Sequence, residues 1–255
     1  MIKAVLFDAG GVLHTSSPDE EQERCFVKEI LSTLAGQGQE INSSPEEFIG
    51  KLKIRAREYK KWSEETATEL PGTEIWNSFY LKDFNPDPEK VAGCAERLCY
   101  LYDGKKSKIS PRPHLKETVE TLRRMGMRQG IISNIISKTF VPECLKNYGI
   151  ESCMECVIMS SVVGRRKPAP EIFRAATDAL GLKAAECVFV GDRLSRDVIG
   201  AKNAGFGCMI QIRHGPSIEK DRAFESLGYR PDFMIDDLAE IPGIIRDLDT
   251  EKLHA

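Results

Sequence analysis

The fold is decided near the start of the chain, by the stretch Ile2-Lys3-Ala4-Val5-Leu6-Phe7-Asp8-Ala9-Gly10-Gly11-Val12-Leu13. An apolar run leads directly into a single acid, Asp8, and then into a glycine pair. The acid offers a nucleophile at the end of a buried strand, and glycines allow backbone amides to approach an anion closely. This stretch therefore predicts a first strand and one corner of an anion-binding site.

The composition is that of an ordinary globular chain. It has 255 residues, of which 41% are hydrophobic and 29% charged, enough for one large domain or a domain with an insertion. The formal net charge of -3 shows no excess of basic residues of the kind that attracts nucleic acid, so we expect no nucleic-acid partner. No apolar run approaches the roughly 20 residues of a membrane helix, and no signal-peptide pattern precedes the first strand. We therefore expect a cytoplasmic protein without membrane association, and the oligomeric state stays open.

Six short apolar runs predict strands that are covered on both faces, because their residues do not alternate between apolar and polar. The runs are Ile2–Phe7, Gln129–Ser133, Cys156–Met159, Cys187–Val190, Gly207–Ile212 and Asp232–Ile235. From residue 113 onward, helical patterns separate most of them. Strands that alternate with helices predict an α/β fold with a doubly wound parallel sheet.

The first two predicted strands are separated by a stretch too long for a plain crossover, and its pattern is helical. Ser44-Pro45-Glu46-Glu47 has the form of a capping box with proline in the first turn, and Asp87 can cap another helix. We predict a core formed by residues 1–15 and 108–255, with a helical second domain at 16–107 inserted after the first strand. A basic run on one of its helices, between Lys51 and Lys61, is typical of a solvated face, and its role stays open.

Reactive groups stand at four predicted strand ends, the edge at which open parallel sheets bind ligands. They are Asp8, the pair Ser133-Asn134, Lys167 in the segment Gly164–Pro168, and Asp192 with Asp197 five positions later. Paired carboxylates suit a hard cation such as Mg²⁺, and a hydroxyl and an ammonium suit phosphoryl oxygens. An aspartate can also attack phosphorus and form an aspartyl-phosphate. The set indicates phosphoryl transfer.

In the order of its motifs, the chain resembles the haloacid dehalogenase-like (HAD) superfamily. The four matching segments are Phe7–Leu13 (usually D-x-D-G-T-L), Ser133, Arg166–Phe173 (K-P-x-P-x-x-F) and Val190–Asp197 with Gly200–Gly205. The helical insertion resembles the C1-type cap of subfamily I. The resemblance implies a Rossmann-like α/β core, a Mg²⁺ cofactor and a small phosphorylated substrate.

The resemblance also implies roles for individual residues. Asp8 is then the nucleophile and a Mg²⁺ ligand, with the Gly10 carbonyl, Asp192 and Asp197 as the other metal ligands, the last directly or through water. Ser133 and Lys167 are the further catalytic residues. The phosphate-binding set is Gly10, Gly11, Ser133, Asn134 and Lys167.

Gly10 departs from the family pattern, because phosphatases of the family have an aspartate there that protonates the leaving group and then activates water. Four alternatives follow: a phosphatase for good leaving groups, one that borrows an acid such as His14, a dehalogenase-type hydrolase in which Asp8 attacks carbon, and a catalytically silent phosphate-binding protein. The presence of both Asp192 and Asp197 favours phosphate chemistry over attack on carbon. We therefore expect a Mg²⁺-dependent phosphatase.

Overall fold

The computed structural model describes residues 1–251, and its centre is a sheet of six parallel strands. The strands of the chain are β1 (Ala4–Phe7), β2 (His14–Ser17), β3 (Lys108–Pro111), β4 (Arg128–Ser133), β5 (Cys156–Met159), β6 (Cys187–Gly191), β7 (Cys208–Ile212) and β8 (Phe233–Ile235). The large sheet has the order β5-β4-β1-β6-β7-β8, and every pairing in it is parallel. All six predicted strands are confirmed, as is the doubly wound α/β fold.

Helices follow or precede most strands. They are α1 (Glu20–Ala35), α2 (Pro45–Thr66), α3 (Gly72–Glu74), α4 (Pro88–Ala92), α5 (Ala95–Lys105), α6 (Leu115–Arg124), α7 (Phe140–Asn147), α8 (Ser160–Val163), α9 (Pro170–Leu180), α10 (Ile199–Asn203), α11 (Gly215–Asp221) and α12 (Ile241–Glu251). Two π-helical segments, Ile75–Tyr80 and Leu194–Val198, lie between them. Single 3-10 turns cover Lys82–Phe84, Glu151–Cys153, Ala184–Glu186, Arg222–Leu227 and Leu238–Glu240.

The sheet is buried on both faces, which is why its strands are apolar throughout. Successive residues of β1 enter opposite clusters: Val5 packs with residues of α6, α7 and α12, and Leu6 packs with Phe173 of α9 and Ala201 of α10. All four residues of β1 are buried. The carboxyl end of β1 is therefore held firmly at the middle of the sheet.

Helices α1 to α5 pack around a cluster of their own, which includes Phe26, Phe48, Trp76 and Leu98. The predicted caps form: the Glu47 amide donates to Ser44 Oγ at 3.2 Å, and the Glu89 amide donates to an Asp87 carboxylate oxygen at 3.0 Å. The division between residues 15 and 16 and between 107 and 108 stays a prediction.

A two-stranded antiparallel ribbon, β2 with β3, joins the helical part to the sheet, and sequence reasoning missed it. Its strands have four residues each and are mostly exposed, so they carry no apolar signal. Their pairing depends on bringing together two segments that are far apart in the chain. Among the described residues, no helix is both long and apolar enough to cross a membrane.

Candidate active site

Three neighbouring strands of the sheet end at the candidate site. Ser133 is the last residue of β4, Asp8 follows β1, and Asp192 follows β6. Because the three strands are parallel, their carboxyl ends lie at one edge. Asp8, Ser133 and Asp192 are all buried, and all three line one cavity of about 370 Å³. The structure thus brings these sequence-predicted residues together.

Lys167 lies between two carboxylates. Its Nζ is 2.9 Å from Asp8 Oδ1 and 2.8 Å from Asp197 Oδ1, and it donates to the Ile132 carbonyl at 2.8 Å. The ammonium is fully buried, with a side-chain exposure of 0%. Burial raises the pKa of Asp8, and the positive charge of Lys167 opposes that rise. Lys167 therefore favours the carboxylate form, the form in which Asp8 could act as a nucleophile.

Asp197 holds the turn after β6. Its Oδ2 accepts hydrogen bonds from the amides of Asp192 at 3.1 Å and Arg193 at 3.0 Å. Although burial opposes ionisation, Lys167 and Arg196 keep the pKa of Asp197 below its usual value. A Cβ on Gly191 would lie 2.3 Å from the Asp197 Cβ, so only glycine permits this close approach. Asp197 thus positions both Lys167 and the loop that carries Asp192.

Asp8, Asp192 and Asp197 form a cluster of carboxylates in which one oxygen of each lies within 4.8 Å of the others. Asp192 Oδ1 is buried and has no hydrogen-bond partner in the described part of the chain, while its Oδ2 accepts from the Ser217 hydroxyl. Burial, together with the charges of Asp197 and Asp8, raises the pKa of Asp192 to about 7. Carboxylates this crowded, one of them with an unsatisfied oxygen, fit a divalent cation.

Arg196 is a site residue that sequence reasoning missed. One of its Nη atoms lies 3.8 Å from Asp192 Oδ1 and 4.0 Å from Asp8 Oδ2, and the side chain is 22% exposed. The guanidinium lines the cavity, where it can reach an anion held in front of Asp8. The sequence signal that could have identified Arg196 is its position immediately before Asp197, inside the motif Val190–Asp197.

The two glycines after Asp8 differ in their surroundings. Gly11 has a φ of +85°, and a Cβ there would lie 2.4 Å from Asp192 Oδ2, so this position requires glycine. A Cβ on Gly10 would meet nothing within 4 Å. Gly10 is exposed and lines the cavity, so a side chain would fit. Neither crowding nor a positive φ explains its lack of a carboxylate.

Asn134 supports Lys167. Its Nδ2 donates to the Lys167 carbonyl at 2.9 Å, and its Oδ1 accepts from the Lys167 amide at 2.7 Å. Asn134 and Ser133 both line the cavity. The structure therefore gives Asn134 a positioning contact in addition to its predicted place beside phosphate.

A second cavity, of about 510 Å³, opens between the helical part and the site. Aromatic side chains such as Tyr59, Tyr80 and Tyr102 form part of its wall. Three residues of the basic run, Lys53, Arg57 and Lys60, line this cavity. Most of the run forms ion pairs with neighbouring acids, namely Lys51, Lys53, Arg55, Lys60 and Lys61. The two cavities share six lining residues, so they are adjoining compartments.

His14 lies in the wall of the smaller cavity, but its imidazole is bordered by aromatic side chains. Its ring packs edge-on against Phe140 and Tyr148, and its Nδ1 is 3.1 Å from the Tyr148 hydroxyl. Burial lowers the pKa of His14 to about 4. The imidazole is therefore neutral at pH 7, which disfavours it as a proton donor.

A parallel α/β sheet with an acid, an ammonium and a carboxylate cluster at one edge defines a class of hydrolases. The family model of haloacid dehalogenase-like hydrolases matches residues 2–205, and the chain belongs to this family.

Similar proteins agree with that assignment. A glyceraldehyde 3-phosphate phosphatase from Methanopyrus kandleri is 32% identical over 97% of this chain and 99% of its own length. The crystal structure of a HAD phosphatase from Thermococcus onnurineus is 27% identical, with a TM-score of 0.60 over 96% of this chain and 98% of that one. A 2-haloacid dehalogenase from Pseudomonas syringae pv. Tomato DC3000, 21% identical, shares the fold with a TM-score of 0.69 over 97% of this chain and 100% of that one.

Proposed function

We propose that this chain is a Mg²⁺-dependent phosphatase of small phosphorylated metabolites and that Asp8 is its nucleophile. The observation that carries the proposal is the environment of Asp8. It lies at the end of a central strand, paired with buried Lys167 and next to two further carboxylates, and it faces a cavity. Relatives along the whole chain are named as phosphatases of three-carbon and two-carbon phosphates.

Asp8, Asp192 and the Gly10 carbonyl would hold Mg²⁺, with Asp197 beside them. The fit rests on Asp192 Oδ1, which accepts no hydrogen bond from the described residues, and on the mutual proximity of the three carboxylates. When bound, Mg²⁺ offsets the charge that accumulates as one anion attacks another. The remaining steps follow from the chain's own side chains.

Asp8 attacks phosphorus through a carboxylate oxygen, and the bond between phosphorus and the leaving oxygen breaks. Ser133 donates a hydrogen bond to a phosphoryl oxygen, and Lys167 and Arg196 supply positive charge. Water then attacks the aspartyl-phosphate, which releases inorganic phosphate and restores Asp8. Asn134 and Asp197 keep Lys167 in place throughout, since both contact it directly.

We propose that the helical segment at residues 16–107 acts as a cap, with the organic part of the substrate in the larger cavity. The support is the continuity of the two cavities and the mixture of tyrosines and basic side chains in the wall of the outer one. Such walls suit a polar or anionic organic group with some flat surface.

Turnover of p-nitrophenyl phosphate by Asp8→Asn tests the proposal. We expect the variant to lose at least ~10³-fold in kcat, because an amide is not a nucleophile at phosphorus. The matched control is Asp178→Asn, the same chemical change at an exposed position on α9. Circular dichroism and the melting temperature check that both variants fold. Equal turnover by Asp8→Asn and the wild type would refute the mechanism.

The same assay with EDTA, and then with Mg²⁺ restored, separates the alternatives. Full activity without metal, together with release of halide from a 2-haloacid, would establish attack on carbon. Failure to hydrolyse any of a broad panel of phosphate esters, with phosphate still raising the melting temperature, would establish a binding protein.

A further inference from the structure

The absent carboxylate at Gly10 leaves the proton for the leaving group without a source, and the two cavities show where a source must lie. Under the proposed function, the phosphoryl group occupies the cavity that Asp8 lines, and the organic group occupies the outer cavity. The oxygen that joins them then lies at the boundary between the cavities. The residues common to both walls are Lys60, Asp103, Lys106, Ser107, Asn134 and Ile135.

Asp103 is the one carboxylic acid among these six residues. It lies in the last turns of α5, and its Oδ2 accepts hydrogen bonds from the amides of Ile136 at 3.2 Å and Ser137 at 2.8 Å. These bonds tie the carboxyl to the loop that follows Ser133 and Asn134. Asp103 is thus held by the core although it is carried by a helix of the predicted cap.

We propose that Asp103 is the general acid and base that replaces the missing carboxylate at Gly10, so that the chain hydrolyses phosphate esters of ordinary alcohols. This inference rests on the proposed phosphatase function. With Asp103 as the proton donor, the substrates are not restricted to phosphate esters with good leaving groups. The proton comes from a residue of the predicted cap.

The protons balance over the two steps. As the bond between Asp8 and phosphorus forms and the ester bond breaks, the Asp103 carboxyl gives its proton to the departing alkoxide, which leaves as the alcohol. The resulting carboxylate then takes a proton from the water that attacks the aspartyl-phosphate. Phosphate leaves, and Asp8 and Asp103 return to their starting forms.

The environment of Asp103 suits both roles. Burial raises its pKa to about 7, with Glu69 adding to the rise and Lys106 and the two amides opposing it. Tyr80 and Cys99 also face it, and burial raises the pKa of each above its ordinary value, so both are neutral. Both protonation states of Asp103 are therefore populated near neutral pH, as a group that first gives and then takes a proton requires.

The two histidines of the inner cavity are less suitable as proton donors. His14 is neutral and packed between aromatic rings, and burial and the cations around His214 lower its pKa as well. Two lysines, Lys60 and Lys106, also stand at the boundary. Lys106 Nζ lies over the Tyr102 ring, 3.7 Å from its centroid, whereas Lys60 Nζ lies 3.8 Å from Glu64 Oε1. The experiment therefore includes Lys60→Gln.

The test compares a phosphate ester of a good leaving group, p-nitrophenyl phosphate, with one of a poor leaving group, glycerol 1-phosphate. We expect Asp103→Asn to lower kcat on the alkyl ester by about 10²–10³-fold and on the aryl ester by less than ~10-fold. The amide oxygen can still accept from Ile136 and Ser137, so the loop stays attached. We expect Lys60→Gln to leave the ratio of the two kcat values unchanged.

Glu96→Gln is the matched control for a purely structural role. Glu96 is on the same helix, and its Oε1 accepts from the amides of Lys138 and Thr139, next to the amides that Asp103 holds. Unlike Asp103, it lines neither cavity. If anchoring of this loop were the whole role of Asp103, Glu96→Gln and Asp103→Asn would both lower kcat on the two esters by the same factor.

A second variant uses the open space at Gly10. Gly10 lines the cavity, and a Cβ there would meet nothing within 4 Å among the described residues, so Gly10→Asp is chosen to return a carboxylate to this position. We expect Gly10→Asp in the Asp103→Asn background to restore hydrolysis of the alkyl ester at least ~10-fold. In the wild type, the ratio of kcat on the alkyl ester to kcat on the aryl ester should fall as the pH rises above about 7. The ratio is used because Asp192, whose pKa is also raised to about 7, would affect both esters. This measurement tests the proposal even if Asp103→Asn does not fold.

An unchanged kcat ratio in Asp103→Asn, or a lowered ratio in Lys60→Gln alone, would overturn the inference and leave the proposed function standing. If the wild type hydrolyses neither ester with Mg²⁺ present, the proposed function fails, and the inference fails with it.

Discussion

Replacing Lys167 with methionine should destabilise the protein far more than loss of an ordinary ion pair. Methionine has nearly the same length but no charge, so Asp8 and Asp197 lose the ammonium that lies 2.9 and 2.8 Å from them. Both carboxylates are almost completely buried, and water cannot take over its role. Removing one partner of a buried pair costs about 3–5 kcal/mol. For a chain of this size, that lowers the melting temperature by roughly 6–20 °C.

Differential scanning fluorimetry with EDTA present measures the effect without a bound metal. The control is Lys3→Met, which removes a still shorter ion pair, 2.6 Å to Glu186, from a side chain that is 52% exposed. Because solvent screens that pair, we expect its melting temperature to stay close to that of the wild type.

A double variant distinguishes uncompensated charge from lost packing. Asp197→Asn in the Lys167→Met background removes one of the two stranded carboxylates, while the amide oxygen still accepts from the Asp192 and Arg193 amides. We expect the double variant to melt higher than Lys167→Met. A melting temperature for Lys167→Met within about 2 °C of the wild type, or a double variant that melts lower than the single one, would refute the reasoning.

Two further predictions concern the same region. Gly11→Ala should lower stability by ~1–2 kcal/mol or more, because of its φ of +85°, and should also reduce turnover, because the new Cβ displaces the Asp192 carboxylate. The control is Gly126→Ala, at a φ of +79° with open space around it, which should lose stability without losing turnover. Full activity of Gly11→Ala would contradict the argument. In the folded protein, burial lowers the pKa of His14 from 6.5 to about 4. Because the unfolded chain then binds a proton more readily than the folded one, the free energy of unfolding falls by about 3 kcal/mol in total as the pH drops from about 6.5 to 4. In urea titrations, the free energy of unfolding of His14→Gln should therefore decrease less between pH 6.5 and 4 than that of the wild type. An identical pH dependence in the two proteins would contradict the lowered pKa of His14.

Much of the core could be predicted because its signals are local. Each strand of the sheet is a short apolar run that both faces of the sheet bury, and each motif follows such a run directly. Parallel strands bring their carboxyl ends to one edge, so Asp8, Ser133 and Asp192 had to meet once the sheet was recognised. The caps Ser44 and Asp87 were equally local, since each acts on its own helix.

Contacts between distant segments left no comparable pattern. The β2–β3 ribbon joins residues on either side of the helical insertion, and its short polar strands look like loops. Asp103 and Arg196 carry charges that are unremarkable in sequence. Asp103 is brought to the site by the packing of α5 against the loop after β4. Arg196 is brought there by the turn after β6.

The sequence by itself determined the α/β fold, the edge of the sheet that carries the candidate site and the kind of side chain available there, because strand periodicity and motif order are properties of neighbouring residues. It also showed that Gly10 lacks a carboxylate. Only the tertiary structure decided that Lys167 lies between Asp8 and Asp197, that the space beside Gly10 is open, and that Asp103 stands where the two cavities meet. These depend on how the chain path converges in three dimensions, and burial then determines what each charge can do.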